Sequence, residues 1–262
     1  MFINRYIGGS NIFTVKKLNI PYGKIYDYVK ESNCKDHKNN HKLNVLALSN
    51  TNNSIHAIKL TSLYNSDLKK YLNEYNHLAK NNNNKILIDA ENVKNQEMIN
   101  DYTNYCIETD NSNIFYKTYQ MYRNDSFDML EKDLDFFKNK NKYFGIKLVR
   151  GAYLNEDRNT GLLNTNKTDT DINYNNAIKL LSTHKNDVII ATHNNLSCKI
   201  ALQYEKKFKY AQLLGMNNKL SDYLLEQGQD VYKYIPYGKY SESIPYLTRR
   251  LYENYSILQY II

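Results

Sequence analysis

The sequence predicts a single (β/α)8 barrel of the TIM type over residues 1–262. Two observations carry this reading: eight short apolar runs recur along the chain, and stretches with helical periodicity lie between them. A length of 262 residues suits one large α/β barrel or two small domains, and the regular alternation favours the barrel.

The elements follow in chain order. "KIYDY" (24–28) and "SIHAIKL" (54–60) are the first two strands. A helix follows, keeping Leu68, Leu72, Tyr75 and Leu78 on one face, and leads to "KILIDA" (85–90). "NIFYKTYQ" (113–120) is the fourth strand, with Phe127, Leu130, Leu134 and Phe137 as the face of the helix after it. "FGIKLVRGA" (144–152) precedes a helix carrying Ile172, Ala177, Leu180 and Leu181. "DVIIATH" (187–193) precedes one carrying Ile200 and Leu202. "KYAQLL" (209–214) and "VYKYIP" (231–236) complete the set. The Asn-rich tracts near 35–44 and 81–85 add no apolar face and read as loop extensions within the one domain.

Hydrophobic residues make up 42% of the chain, enough for a real core, and the formal net charge is +8. That charge is spread out rather than interleaved with aromatics in one cluster, so nucleic acid is not expected as a partner. Three cysteines, Cys34, Cys106 and Cys198, are odd in number and far apart, and imply no disulfide framework. The spacing of Cys34, His37 and His41 resembles zinc ligation, but the segment offers no fourth ligand and no metal is expected. No run approaches the roughly 18 apolar residues of a membrane span, and no Gly-rich nucleotide loop is present. The opening "MFINRYIGGS" has neither a secretory segment nor an Arg-rich presequence.

The polar residues are informative by position. Lys59, Asp89, Gln120, Arg150, His193 and Tyr234 fall at or near the ends of six different strands, and Gln212 lies within a seventh. In a parallel barrel those ends share one rim, the rim that carries the chemistry of barrel enzymes. Each alone has a plainer explanation, such as a helix cap for Asp89 or a structural histidine for His193. Their coincidence marks a site. In the last helix Tyr246, Arg249, Arg250 and Glu253 share one stripe at i, i+3, i+4 and i+7. Two cations about 5 Å apart repel by roughly 3 kcal/mol at an effective dielectric near 20. Convergence of Lys59, Arg249 and Arg250 therefore predicts a small anionic ligand.

"FGIKLVRGAYL", "ATHNN", "AQLLGM" and "VYKYIPYG…IPYLTRRLYEN" resemble the signature segments of the proline dehydrogenase (proline oxidase) family. "IHAIKLTSL", "ILIDAE" and "YKTYQMY" resemble its earlier segments, in the same order. The resemblance implies a flavin-binding (β/α)8 barrel that oxidises L-proline to 1-pyrroline-5-carboxylate with FAD and passes the electrons to a membrane quinone. It implies that Lys59, Arg249 and Arg250 hold the carboxylate of proline, and that Leu213 and Tyr246 wall its ring. Asp89, paired with Tyr234, would lie beside the substrate, and Lys147 near the flavin N5. Ala90, Gln120, Arg150, Gly151, Ala152, Thr192 and His193 would contact FAD, and Glu253 would orient the arginines. The small Gly151 and Ala152 would let the backbone approach the cofactor.

Family members that act on 4-hydroxyproline resemble the Tyr234 segment but carry a smaller residue there, so Tyr234 points to proline. The alternatives are a hydroxyproline dehydrogenase, or a degraded barrel that binds ligand or a partner without turnover. The resemblance also implies a mitochondrial location, on the matrix side of the inner membrane. The apolar tail "YSILQYII" offers a peripheral membrane contact.

Overall fold

A computed structural model describes residues 5–31 and 35–253; the side chains of residues 249–253 lie outside the description. Eight strands, β1 (Gly23–Tyr28), β2 (Ile55–Ile58), β3 (Lys85–Ile88), β4 (Phe115–Gln120), β5 (Gly145–Val149), β6 (Val188–Ala191), β7 (Lys209–Leu213) and β8 (Asp230–Tyr237), close into a barrel in sequential order. Every neighbouring pair is parallel, including the closing pair β1–β8. The connections carry α1 (Ile12–Val15), α2 (His37–Ser49), α3 (Leu68–Asn81), α4 (Val93–Thr109), α5 (Ser126–Asn139), α6 (Leu154–Asp157), α7 (Lys167–Leu181), α8 (Asn195–Ala201), α9 (Asn218–Glu226) and α10 (Tyr240–Glu253). The expected barrel is the fold observed.

Two apolar layers hold it together. Outside the strands, the large core joins outward residues such as Ile86, Ile88, Tyr119, Ile146 and Leu148 to Leu72, Tyr75, Leu134, Phe137 and Leu181 of the helices. Inside, Ile25, Ile55, Ala57, Leu87, Tyr116, Ile189, Ala211 and Tyr234 fill the barrel. The period of two along each strand separates these sets. At the N-terminal end the interior is closed by polar contacts: the Tyr116 hydroxyl and the Lys209 ammonium both donate to Asp187.

Several local expectations are corrected. The tract 35–44 is not a loop extension, because α2 starts at His37 and runs to Ser49. Its buried face is partly asparagine: Asn40 Nδ2 donates to the Ser62 carbonyl at 3.0 Å and Asn44 Nδ2 to the Asn40 carbonyl at 3.0 Å. Satisfied amides can be buried where an apolar pattern would be sought. Nor does 81–85 extend a loop. Asn81 ends α3, Lys85 opens β3, and the tight turn between them uses Asn83 at φ 50°. Asn84 fills the turn by donating to the carbonyls of Leu48 and Thr51.

The face of α7 is Tyr174, Ala177, Ile178 and Leu181, whereas Ile172 is 51% exposed. The connection from β3 to β4 contains α4, whose buried face of Gln96, Ile99, Thr103, Cys106 and Ile107 mixes polar with apolar members. Cys106 and Cys198 are buried free thiols, and Cys34 lies outside the described residues. Among the described residues no helix is long and apolar enough to cross a membrane, and no group of His, Cys, Asp or Glu could hold a metal ion. The tail 255–262 lies outside them. His41 has another occupation: its ring stacks on Tyr71, with centroids 3.7 Å apart.

Candidate active site

A cavity of about 280 Å³ opens at the C-terminal mouth of the barrel. Its wall brings together most of the strand-end residues singled out in the sequence: Asp89, Ala90, Gln120, Lys147, Arg150, Gly151, Ala152, Thr192, His193, Gln212, Leu213, Tyr234 and Tyr246. These positions belong to or directly follow β3 through β8, with Tyr246 added by α10. The strand register explains the convergence. Leu213 pairs with Tyr234, and Tyr234 with Ile25, so inward side chains of β7, β8 and β1 stand at one level.

Asp89 is the electrostatic centre. It directly follows β3 and does not cap the next helix, a task taken by Asn92. Its Oδ1 accepts from Lys147 Nζ at 2.6 Å, and its Oδ2 accepts from the Tyr234 hydroxyl. Burial alone would raise its pKa, but the ammonium groups of Lys147 and Lys59 and the two hydrogen bonds bring it below the ordinary carboxylate value. Asp89 is therefore an anion at neutral pH. Lys147 also sits over the Tyr234 ring, 4.6 Å from its centroid.

Arg150 is braced on three sides. Its Nε donates to Asp171 at 2.7 Å, one terminal nitrogen to Thr192 Oγ1 at 2.6 Å and the other to Ser197 Oγ at 3.0 Å. The guanidinium lies over the Tyr174 ring at 4.4 Å. Burial pushes His193 down to about 4, so its imidazole is neutral at pH 7. Gln120 Nε2 donates to the Glu91 carbonyl at 2.8 Å, tying β4 to the loop after Asp89.

Gly151 has a structural reason distinct from cofactor approach. Its φ is +137°, and an added Cβ would stand 2.3 Å from the Tyr122 ring. Tyr122 is fixed in turn by donating to Asp157 Oδ2 at 2.5 Å.

Lys59 departs most from expectation. It directly follows β2, is 3% exposed, and is absent from the cavity wall. Its ammonium donates to Asp27 of β1 and lies 3.5 Å from Asp89 Oδ2. The cation therefore already has an internal anion, and the argument that it must await an external one does not hold for it. Asp27 was missed. Its signal was present in "KIYDY", where a carboxylate two residues after Ile25 must face the barrel interior with it. Arg249, Arg250 and Glu253 fall on α10, and their side chains lie outside the description.

Glu91 is a second residue that sequence reasoning passed over. It is 2% exposed and accepts from the Thr61 backbone at 3.1 Å and the Thr61 hydroxyl at 2.5 Å. Burial pushes its pKa up to about 7, because the hydrogen bonds from Thr61 only partly offset desolvation. The sign follows: the fold favours the protonated acid, so its contribution is full below the unfolded value and lost as pH rises through about 7. Glu91→Gln is expected to raise stability at pH 8 by on the order of 3 kcal/mol, and to change it little near pH 5. Thermal unfolding of both proteins at the two pH values checks this.

Fold and cavity define a (β/α)8-barrel protein with an ionised carboxylate held at the rim where barrel enzymes work. The chain belongs to the proline dehydrogenase family: the model for that family matches residues 14–261. Among curated proteins, "Proline dehydrogenase 1, mitochondrial" of Drosophila melanogaster is 32% identical over 207 residues, covering 68% of this chain and 30% of that protein. "Hydroxyproline dehydrogenase" of Xenopus laevis is 31% identical over 222 residues, covering 74% of this chain and 48% of that one. The chain thus spans roughly a third to a half of the length of these relatives. Among solved structures, proline utilization A from Bdellovibrio bacteriovorus superposes with a TM-score of 0.86 at 18% identity, over 97% of this chain and 32% of that one. At that identity the likeness speaks for the fold.

Proposed function

We propose that this barrel oxidises L-proline to 1-pyrroline-5-carboxylate with FAD, the electrons passing on to a quinone. The observation that carries the proposal is the carboxylate of Asp89, held by Lys147 and Tyr234 at the wall of the mouth cavity. Family membership supplies the reaction class.

The cavity wall suits a flavin. Small residues, Ala90, Gly151, Ala152, Ala191 and Ala211, leave room for a flat ring, while Lys147, Arg150 and Gln120 offer donors to carbonyl edges and negative charge. Lys147, Arg150, Thr192 and His193 are the residues to hold it, with Ala90, Gln120, Gly151 and Ala152 alongside and Glu253 acting through the arginines. When bound, the flavin supplies a two-electron hydride acceptor.

The remaining work falls to the chain. Proline must lose a hydride from the ring carbon beside nitrogen while that nitrogen is neutral. Asp89 stabilises the ring N–H and draws its proton toward the carboxylate, while Lys147 and Tyr234 keep both oxygens oriented. Leu213 and Tyr246 wall the apolar ring. Arg249 and Arg250 are the residues to grip the substrate carboxylate, with Lys59, paired with Asp27 and set behind the wall, adding positive potential. The curated relatives named as mitochondrial support a mitochondrial setting, and the quinone and a peripheral membrane contact are part of the proposal.

The test is direct. Purified protein is expected to carry a yellow flavin whose absorbance bleaches on adding L-proline without oxygen. Protein that cannot be loaded with FAD would favour a barrel that binds without turnover.

A second reading, oxidation of 4-hydroxyproline, is favoured by the relatives of that name. Tyr234 supports proline in this proposal, since its ring lines the cavity and its hydroxyl is spent on Asp89. Tyr234→Ser is expected to lower kcat/KM for proline by about 10- to 100-fold while raising the hydroxyproline-to-proline ratio at least tenfold. An unchanged ratio in steady-state assays would remove Tyr234 as the selector.

A further inference from the structure

We propose that Asp27 is a positioning residue of this site, holding the Lys59 ammonium and the Tyr246 hydroxyl so that the acid-binding end of the cavity stays assembled. The proposal rests on the reading of the cavity as an amino-acid site and goes beyond it to a residue on a different strand.

Asp27 is fully buried and inward-facing, on the only strand that places no residue on the cavity wall apart from β2. One oxygen accepts from Lys59, and the other from the Tyr246 hydroxyl at 2.9 Å. Those two partners belong to different parts of the fold. Lys59 directly follows β2, whereas Tyr246 lies on α10 and forms the cavity wall. Lys59 also stands over the Tyr246 ring, 5.4 Å from its centroid. One carboxylate thus ties the helix that carries Arg249 and Arg250 to the barrel interior.

The alternation of charge is continuous. Asp27, Lys59, Asp89 and Lys147 form a chain of contacts from β1 to β5, two anions and two cations. Burial raises the Asp27 pKa and Asp89 adds to this, while the Lys59 ammonium and the hydrogen bonds from Lys59 and Tyr246 oppose it. The direct Lys59 contact favours the ion pair, and removing one member leaves its neighbour buried and uncompensated. Lys59 is faced by Asp27 and Glu31 from β1 and its loop, Asp89 and Glu91 from the β3 end, Tyr246 from α10 and Tyr237 from β8. Burial alone would lower its pKa; Asp27 heads the groups that reverse this and keep it an ammonium.

The role separates from a merely structural one through pH. The probe is cyclopentanecarboxylate, a five-membered-ring acid with no amine to titrate, with binding to the holoenzyme followed from about pH 8 to about pH 10, above the titration of Glu91. In the wild type Lys59 stays charged, and affinity is expected to be flat. Asp27→Asn keeps the shape but removes the anion, so Lys59 releases its proton within this range and affinity falls about tenfold with rising pH. The double variant Asp27→Asn/Lys59→Met is expected to lose that limb. A flat profile for Asp27→Asn, or a limb that survives in the double variant, overturns the proposal.

Should Asp27→Asn fail to fold, the double variant, which has no uncompensated ammonium, is expected to fold. Its failure would also overturn the proposal. Wild-type protein that binds the ring acid but does not oxidise proline overturns the proposed function alone. Protein that binds neither overturns both.

Discussion

Asp89→Asn is expected to lower kcat/KM for proline by about three orders of magnitude with the flavin still bound. The substitution is nearly isosteric. The amide oxygen can still accept from Lys147, so the cavity keeps its outline while the one carboxylate among its described wall residues disappears. What is lost is the charge that draws the ring nitrogen's proton away. Lys147 meanwhile becomes a cation without its nearest counter-ion, which disfavours the positive charge that develops on the ring nitrogen as the hydride leaves. Steady-state kinetics and the flavin spectrum of the same preparation check both halves. A drop below tenfold would place the proton's destination elsewhere.

The second large effect concerns architecture. Gly151→Ala is expected to destabilise the protein by about 2–4 kcal/mol, since φ +137° disfavours any side chain and the new methyl would press into Tyr122. For a chain of this size that is a fall of roughly 5–15 °C in the unfolding midpoint. Tyr122 bonds Asp157, and Asp157 Oδ1 accepts from the Val93 backbone at 2.9 Å. Strain at Gly151 would therefore spread to the start of α4. Differential scanning calorimetry without added flavin isolates this effect. Unchanged stability with lost flavin retention would return the glycine to cofactor approach alone.

The barrel was legible because its strands are short, apolar and separated by helices, a pattern with few competing folds. The cavity wall was legible because one rim collects the strand ends: Asp89, Gln120, Arg150 and His193 were found by position before any contact was known. What escaped was the hidden polar chemistry. Asp27 sits inside a strand otherwise read only for its apolar members, and Glu91 follows Asp89 so closely that it passed as loop. In α2 and α4 the buried asparagines, glutamine and threonine blurred the 3.6-residue period, because their amides and hydroxyls satisfy partners that only the tertiary structure supplies. Periodicity reports hydrophobicity, not satisfied polarity.

The closed floor of the barrel has a bearing on traffic. Tyr116 and Lys209 crosslink to Asp187 at the far end, while the cavity lies at the C-terminal mouth. On the proposed function, amino acid and electron carrier would share that mouth and would have to take turns at it.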